Sequence, residues 1–296
     1  MLWFAYRALR ASWDELRRHP VPLGVSWTWV AACSGIVGAS YAILIQTWRV
    51  IVGAWDRRLS FAAAARIWTV SNLGRYVPGA LWPVAAMGVL AQRAGVSPVA
   101  ATGAAVLSTV VNVAAGFVVV MATGWRLLRV PYAGGPAIAA VIIALIAIGL
   151  IAVPWVAPRV VRLAERATGR AALVAAPPRR AVIYAVAGNL VAWVLYGLAF
   201  QVLARGVLGD APGGAASYVA VYTLSYLVGY LVLLAPAGVG FREASIITLM
   251  PAAGLATGAQ AAIVAIASRL VLTILDIAPG LAFLARDTLR RPPRAE

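Results

Sequence analysis

Six stretches of this chain, 20–48, 94–125, 130–158, 181–204, 211–241 and 244–268, contain no Asp, Glu, Lys or Arg. Each is at least as long as the ~20 residues that cross the hydrocarbon core of a bilayer. Lipid offers no partner to the backbone groups of an open sheet, so runs of this kind cross it as helices. The expected fold is an all-α polytopic membrane protein with about 6–8 transmembrane helices. Composition agrees: the 296 residues are 63% hydrophobic and 11% charged, with a mean hydropathy of +0.89, far outside the soluble globular range.

Two places break the apolar pattern. Between Ser71 and Gly95 the sequence SNLGRYVPGALWPVAAMGVLAQRAG carries Arg75, a Pro78-Gly79 pair and Pro83. Proline removes a backbone donor and pushes the preceding residue out of the helical region, so this stretch reads as two half-helices meeting at Pro78-Gly79. The second break, LAPAGVGFREAS at 234–245, has Pro236, Gly238 and Gly240 followed by Arg242 and Glu243. Interrupted apolar segments at corresponding places in two halves point to a transporter's substrate site. The expected architecture is an inverted-repeat bundle with two re-entrant, Pro/Gly-broken hairpins.

All the positive charge behind the net +16 is arginine. Arginines between spans orient the protein and meet anionic lipid, which argues against nucleic acid as a partner. Single Cys33 excludes an internal disulfide, and single His19 offers no metal cluster. With no GxxxxGK[ST] phosphate loop, no DxD-like pair and no metal set, neither a bound cofactor nor a catalytic residue is expected.

In chain order, residues 1–20 read as an amphipathic surface segment, 21–285 as the transmembrane domain and 286–296 as a basic cytoplasmic tail. The domain divides into halves at about 21–125 and 135–285. The first span is expected over Leu23–Trp48, with Trp27, Trp29 and Trp48 at the interface and Arg49 in a wet loop. Further spans are expected over Val96–Thr123, Pro136–Val156, Ala181–Ala204 and Thr257–Ala285. The arginine-rich loop 158–180 and the tail are placed in the cytoplasm by the positive-inside rule. The two broken segments then enter from opposite sides, although residues 7–18, with four arginines, fall outside. NVAAG at Asn112–Gly116 resembles DIAPG at Asp276–Gly280, a short internal match in keeping with a repeat. The second half has one extra leading span, as if its counterpart before Trp3 were missing.

The segments WRVIVGAWDRRLSFAAAARIWTVSNLGRYVPG, GVSPVAATGAAVLSTVVNVAAG, LAPAGVGFREASIITL and AAIVAIASRL, between Trp48 and Gly280, resemble the lysylphosphatidylglycerol synthase transmembrane region, a flippase-like family. The most specific piece is P-x-G-x-G-x-x-E, here Pro236, Gly238, Gly240 and Glu243. The resemblance implies translocation of aminoacylated phospholipids or handling of lipid-linked sugars, in a multi-pass inner (cytoplasmic) cell membrane protein. No soluble aminoacyl-transfer domain accompanies it here, so lipid synthesis is not implied. A charged residue is more usual in the region of Asn112.

The residues expected to meet substrate are Arg75, Tyr76, Pro78, Gly79, Asn112, Pro236, Gly238, Gly240, Arg242, Glu243, Arg269 and Asp276. Half-helix N-termini near Gly79 and Gly240 would present amide groups to phosphate, with Arg75 and Arg242 adding charge. Arg269, Thr273 and Asp276 share one helix face, expected to line the cavity. Glu243 has Arg269, Arg242 or a cationic aminoacyl headgroup as possible partners. Each also has a plain structural reading. Arg75, Arg242 and Glu243 can snorkel to the interface, Arg269 and Asp276 can form a buried packing contact, and Asn112 can make an interhelical hydrogen bond. Tyr76 and Trp82 can be packing residues. The function expected is movement of an anionic or aminoacylated phospholipid, or of a polyprenyl-linked headgroup. A subunit or scaffold of a lipid-modifying synthase or glycosyltransferase is the alternative.

Overall fold

The computed structural model describes residues 24–77, 82–124, 178–231 and 238–289. The amphipathic segment 1–20, Pro78, Gly79, the span at 136–156, the arginines between 159 and 170, Pro236 and the tail beyond 289 lie outside the described residues. Within them the chain is helical, with no strand.

The elements are α1 (Trp27–Trp55), α2 (Phe61–Asn72) continuing into a 3-10 turn (Leu73–Tyr76), α3 (Trp82–Arg93), α4 (Pro98–Thr123), α5 (Arg179–Leu208), α6 (Ala215–Leu231), α7 (Phe241–Ala252) and α8 (Gly258–Leu289). Four of them, α1, α4, α5 and α8, are long and apolar enough to cross a membrane. The others are not: α2, α3 and α7 have 12 residues each, about 18 Å at 1.5 Å per residue. With α6, which has 17 residues, they form the two broken pairs that the prolines and glycines call for.

Local chemistry sets the boundaries. Ser60 Oγ accepts the Ala63 N–H at 3.2 Å and caps α2. Pro98 occupies the first turn of α4, where a missing N–H costs nothing. Gly209, with φ 82°, closes α5 in the left-handed conformation. Thr257 and Gln260 make a reciprocal capping box at the start of α8, at 2.9 and 3.3 Å.

Three expectations are corrected. The first helix runs on to Trp55, so Arg49 is helical, and its guanidinium donates to Leu59 O at 2.6 Å and Gln46 Oε1 at 3.0 Å. Trp48 is not an interfacial anchor but a core residue, 1% exposed. Trp27 and Trp29 at the other end remain exposed, as interfacial indoles should. The last helix continues past Ala285, and Arg286 belongs to it.

The helix order repeats: long, short, short, long in α1–α4 and again in α5–α8. Contacts repeat with it. α4 packs on α5 and α6, while α8 packs on α1 and α2, which is the same pattern with the halves exchanged. At the centre α1 lies against its counterpart α5, the most extensive helix pairing among the described residues. The pairing is antiparallel: Gly206 approaches Trp29, and Gly188 approaches Thr47. Corresponding helices that run in opposite directions make this an inverted repeat.

The short internal match has a structural meaning. Asn112 in α4 donates to Asn189 of α5 at 2.8 Å, and Asp276 in α8 accepts from Tyr41 of α1 at 2.6 Å. Four residues after each comes a glycine at a helix crossing. A Cβ on Gly116 would stand 3.2 Å from Leu227 of α6, and one on Gly280 would stand 3.0 Å from Thr69 O of α2.

Candidate functional site

The two broken segments converge on one cavity of about 270 Å³ between the halves. From the first half come Tyr41 and Trp48 of α1, Asn72 of α2, Arg75 and Tyr76 of the 3-10 turn, the first turn of α3 at Pro83 and Val84, and Ser108 and Asn112 of α4. From the second come Asn189, Trp193 and Tyr196 of α5, Tyr222, Tyr226 and Tyr230 of α6, Gly238, Arg242 of α7, and Arg269, Thr273 and Asp276 of α8.

Asp276 is the hub of the first ionic cluster. Its carboxylate accepts from Tyr41 OH at 2.6 Å, from Arg75 at 3.0 Å and from Tyr76 OH at 3.2 Å. Arg75 and Tyr76 are held there by the turn that ends α2, a helix C-terminus that also favours a cation. Gly280, one turn after Asp276, lets α8 lie close enough to α2 for this contact. The cluster joins α1, the first break and α8.

The second cluster is built on the second break. Gly238 has φ +67°, and an added Cβ would stand 2.8 Å from Gly229 O, so only glycine lets this loop lie on α6. Gly240, φ +85°, then caps α7, and its N–H donates to Glu243 Oε2 at 2.7 Å. The other oxygen, Oε1, faces Arg269 at 3.5 Å, an ion pair without a hydrogen bond. Of Glu243's possible partners, Arg269 is therefore the one the fold selects. The amide end of α7 is thus already met in part by its own carboxylate.

Arg242 is placed differently. It is 5% exposed, its guanidinium lies over the rings of Tyr222 and Tyr226 at 5.1 and 5.9 Å, and it donates to Ser268 Oγ at 3.3 Å. No carboxylate pairs with it among the described residues. Burial by protein on this scale is not snorkelling to an interface.

Of the residues singled out from sequence, Arg75, Tyr76, Asn112, Gly238, Arg242, Arg269 and Asp276 line the cavity, and Glu243 and Gly240 stand behind Arg269 and Arg242. Arg269 and Asp276 do not pair with each other; each meets a carboxylate or cation from a different break. Asn112 both lines the cavity and makes the interhelical bond. Trp82 is 54% exposed and does not line the cavity.

Sequence reasoning missed the aromatic wall. Tyr218, Tyr222, Tyr226 and Tyr230 recur every fourth residue, a stripe along one face of α6, and that spacing was legible. Tyr196 stacks on Tyr222 at 5.7 Å, and Trp193 meets Tyr226 edge-on at 5.2 Å. Tyr41 and Asn189, buried partners of Asp276 and Asn112, left no local signal at all.

The sequence profile of the lysylphosphatidylglycerol synthase TM region family matches residues 1–280 of this chain. No curated protein matches it.

Proposed function

Because the chain belongs to the lysylphosphatidylglycerol synthase TM region family, we propose that it is a lipid translocator of the cell membrane that passes a phospholipid or polyprenyl-linked headgroup through the cavity between its two broken helix pairs. The observation that carries this reading is the convergence of both breaks, with their charged side chains, on one cavity bordered by helices long enough to cross a membrane. A headgroup needs a polar path through hydrocarbon. Broken helices at an inverted-repeat interface supply one, since irregular backbone at membrane depth is tolerated where it lines a cavity.

The volume fits a headgroup rather than a whole lipid. About 270 Å³ lies just below the range of small-molecule pockets, roughly 300–1,000 Å³, which leaves the acyl chains in the bilayer. Charged groups at bilayer depth cost roughly 2.5–3.5 kcal/mol each on insertion scales. The five ionisable side chains here are most simply retained because they handle substrate.

Proteoliposomes carrying headgroup-labelled phospholipids in both leaflets test the proposal through the fraction that an external reductant can bleach. Wild-type protein should expose inner-leaflet label faster than protein-free liposomes, and well-folded Arg242→Gln and Asp276→Asn variants should not. No movement of phospholipid or polyprenyl-phosphate probes above the protein-free rate would sink transport in favour of a subunit role beside a lipid-modifying synthase or glycosyltransferase.

A further inference from the structure

The proposed transport leaves the headgroup's charge open, and resting on that reading we infer that the cavity takes a net-anionic phosphate headgroup and rejects an aminoacylated, cationic one. Both carboxylates near the cavity are already engaged. Asp276 accepts from three donors, and Glu243 holds the Gly240 N–H and faces Arg269. Among the described residues, three arginines against these two acids leave one positive charge, and it resides on Arg242.

The unmet hydrogen-bonding groups point the same way. Arg242, Trp48, Asn72, Ser108 and Tyr222 line the cavity, and Arg242 Nε, Trp48 Nε1, Asn72 Nδ2, Ser108 Oγ and Tyr222 OH are buried in its wall with no partner among the described residues. All five can donate, and the first three can only donate. A ligand that draws these wall donors inward must be rich in acceptors, as a phosphate diester with ester or hydroxyl oxygens is. The carboxylate oxygens that an ammonium group would seek are already engaged by Arg75, Arg269, Tyr41, Tyr76 and the Gly240 N–H.

The aromatic wall does not rescue a cation. The rings of Tyr222 and Tyr226 are the natural platform for one, and the Arg242 guanidinium already lies over them. A second cation would meet a like charge in a site shielded from water. The stacking instead orients the guanidinium while leaving Nε without a partner among the described residues.

The test is lipid binding to the full chain in detergent micelles, followed through tryptophan fluorescence, since Trp48, Trp68 and Trp193 line the cavity. The probes are dihexanoyl phosphatidylglycerol, dihexanoyl phosphatidylcholine, lysyl-phosphatidylglycerol and water-soluble sn-glycerol 3-phosphate. Phosphatidylglycerol should bind at least about tenfold more tightly than the zwitterionic and lysylated lipids, the size of effect a charge-assisted hydrogen bond carries. Arg242→Gln should remove that preference. Should the variant fail to fold, inorganic phosphate should displace phosphatidylglycerol from the wild-type protein, and no displacement would count against the site.

Lysyl-phosphatidylglycerol binding as tightly as phosphatidylglycerol would overturn the inference. If sn-glycerol 3-phosphate binds as well as the lipid does, the anion site stands and its ligand is a soluble phosphate. Anion preference in binding without movement in proteoliposomes would remove transport and keep this inference. Transport that favours the lysylated lipid would do the reverse.

Discussion

Asp276 offers the sharpest test of how the halves are joined. Its carboxylate gathers one donor from α1 and two from the first break, at 2.6, 3.0 and 3.2 Å, and it is 8% exposed. Hydrogen bonds to a charged group contribute about 1.5–3 kcal/mol each, and unpairing a buried ion costs about 3–5 kcal/mol. Arg75 is 27% exposed, so part of its loss is recovered by hydration, and the lower end applies. Asp276→Asn, which keeps an acceptor for one tyrosine, should therefore destabilise by about 2–4 kcal/mol. Arg75→Gln should cost less, because Tyr41 and Tyr76 still hold the carboxylate. In the double variant neither charge is left unpaired, so its loss should not exceed that of Asp276→Asn alone. At roughly 2 °C per kcal/mol for a chain of this size, the single change lowers the midpoint by about 4–8 °C. Thermal unfolding of the four proteins in detergent, read by size-exclusion fluorescence, closes the cycle. Additive losses would refute the coupling between Arg75 and Asp276.

The glycines of the second break should separate in the same assay. Gly238→Ala must place a Cβ 2.8 Å from Gly229 O at φ +67°, so it should cost more than about 2 kcal/mol, whereas Gly240→Ala meets open space and bears only the ~1–2 kcal/mol of left-handed strain. Equal midpoints for the two variants would remove the role assigned to Gly238. Asn112→Ala loses one interhelical hydrogen bond to Asn189, worth about 0.6–2 kcal/mol in membrane bundles. Its binding of dihexanoyl phosphatidylglycerol should stay within about twofold of wild type; a loss as large as that from Arg242→Gln would make Asn112 a ligand.

The sequence by itself determined that this chain enters a membrane as helices, because runs without charge and long enough to cross hydrocarbon leave the backbone no other partner. It also located both breaks, since proline and glycine act on the backbone next to them, and it supplied most of the charged residues of the site. What it could not reveal is who meets whom. Arg75 and Asp276 are 201 positions apart, and Tyr41 and Asp276 are 235 apart. Pattern places a side chain on a helix face, while its partner depends on how α8 crosses α1 and α2. Trp48 shows the limit most plainly. At the end of an apolar run an indole reads as an interfacial anchor, yet α1 continues for another two turns and packs on α5, which buries it. The engagement of Asp276 and Glu243 by other partners, which leaves Arg242 with no carboxylate among the described residues, was likewise decided by tertiary structure. Charge balance in a cavity is a sum over helices that only packing brings together.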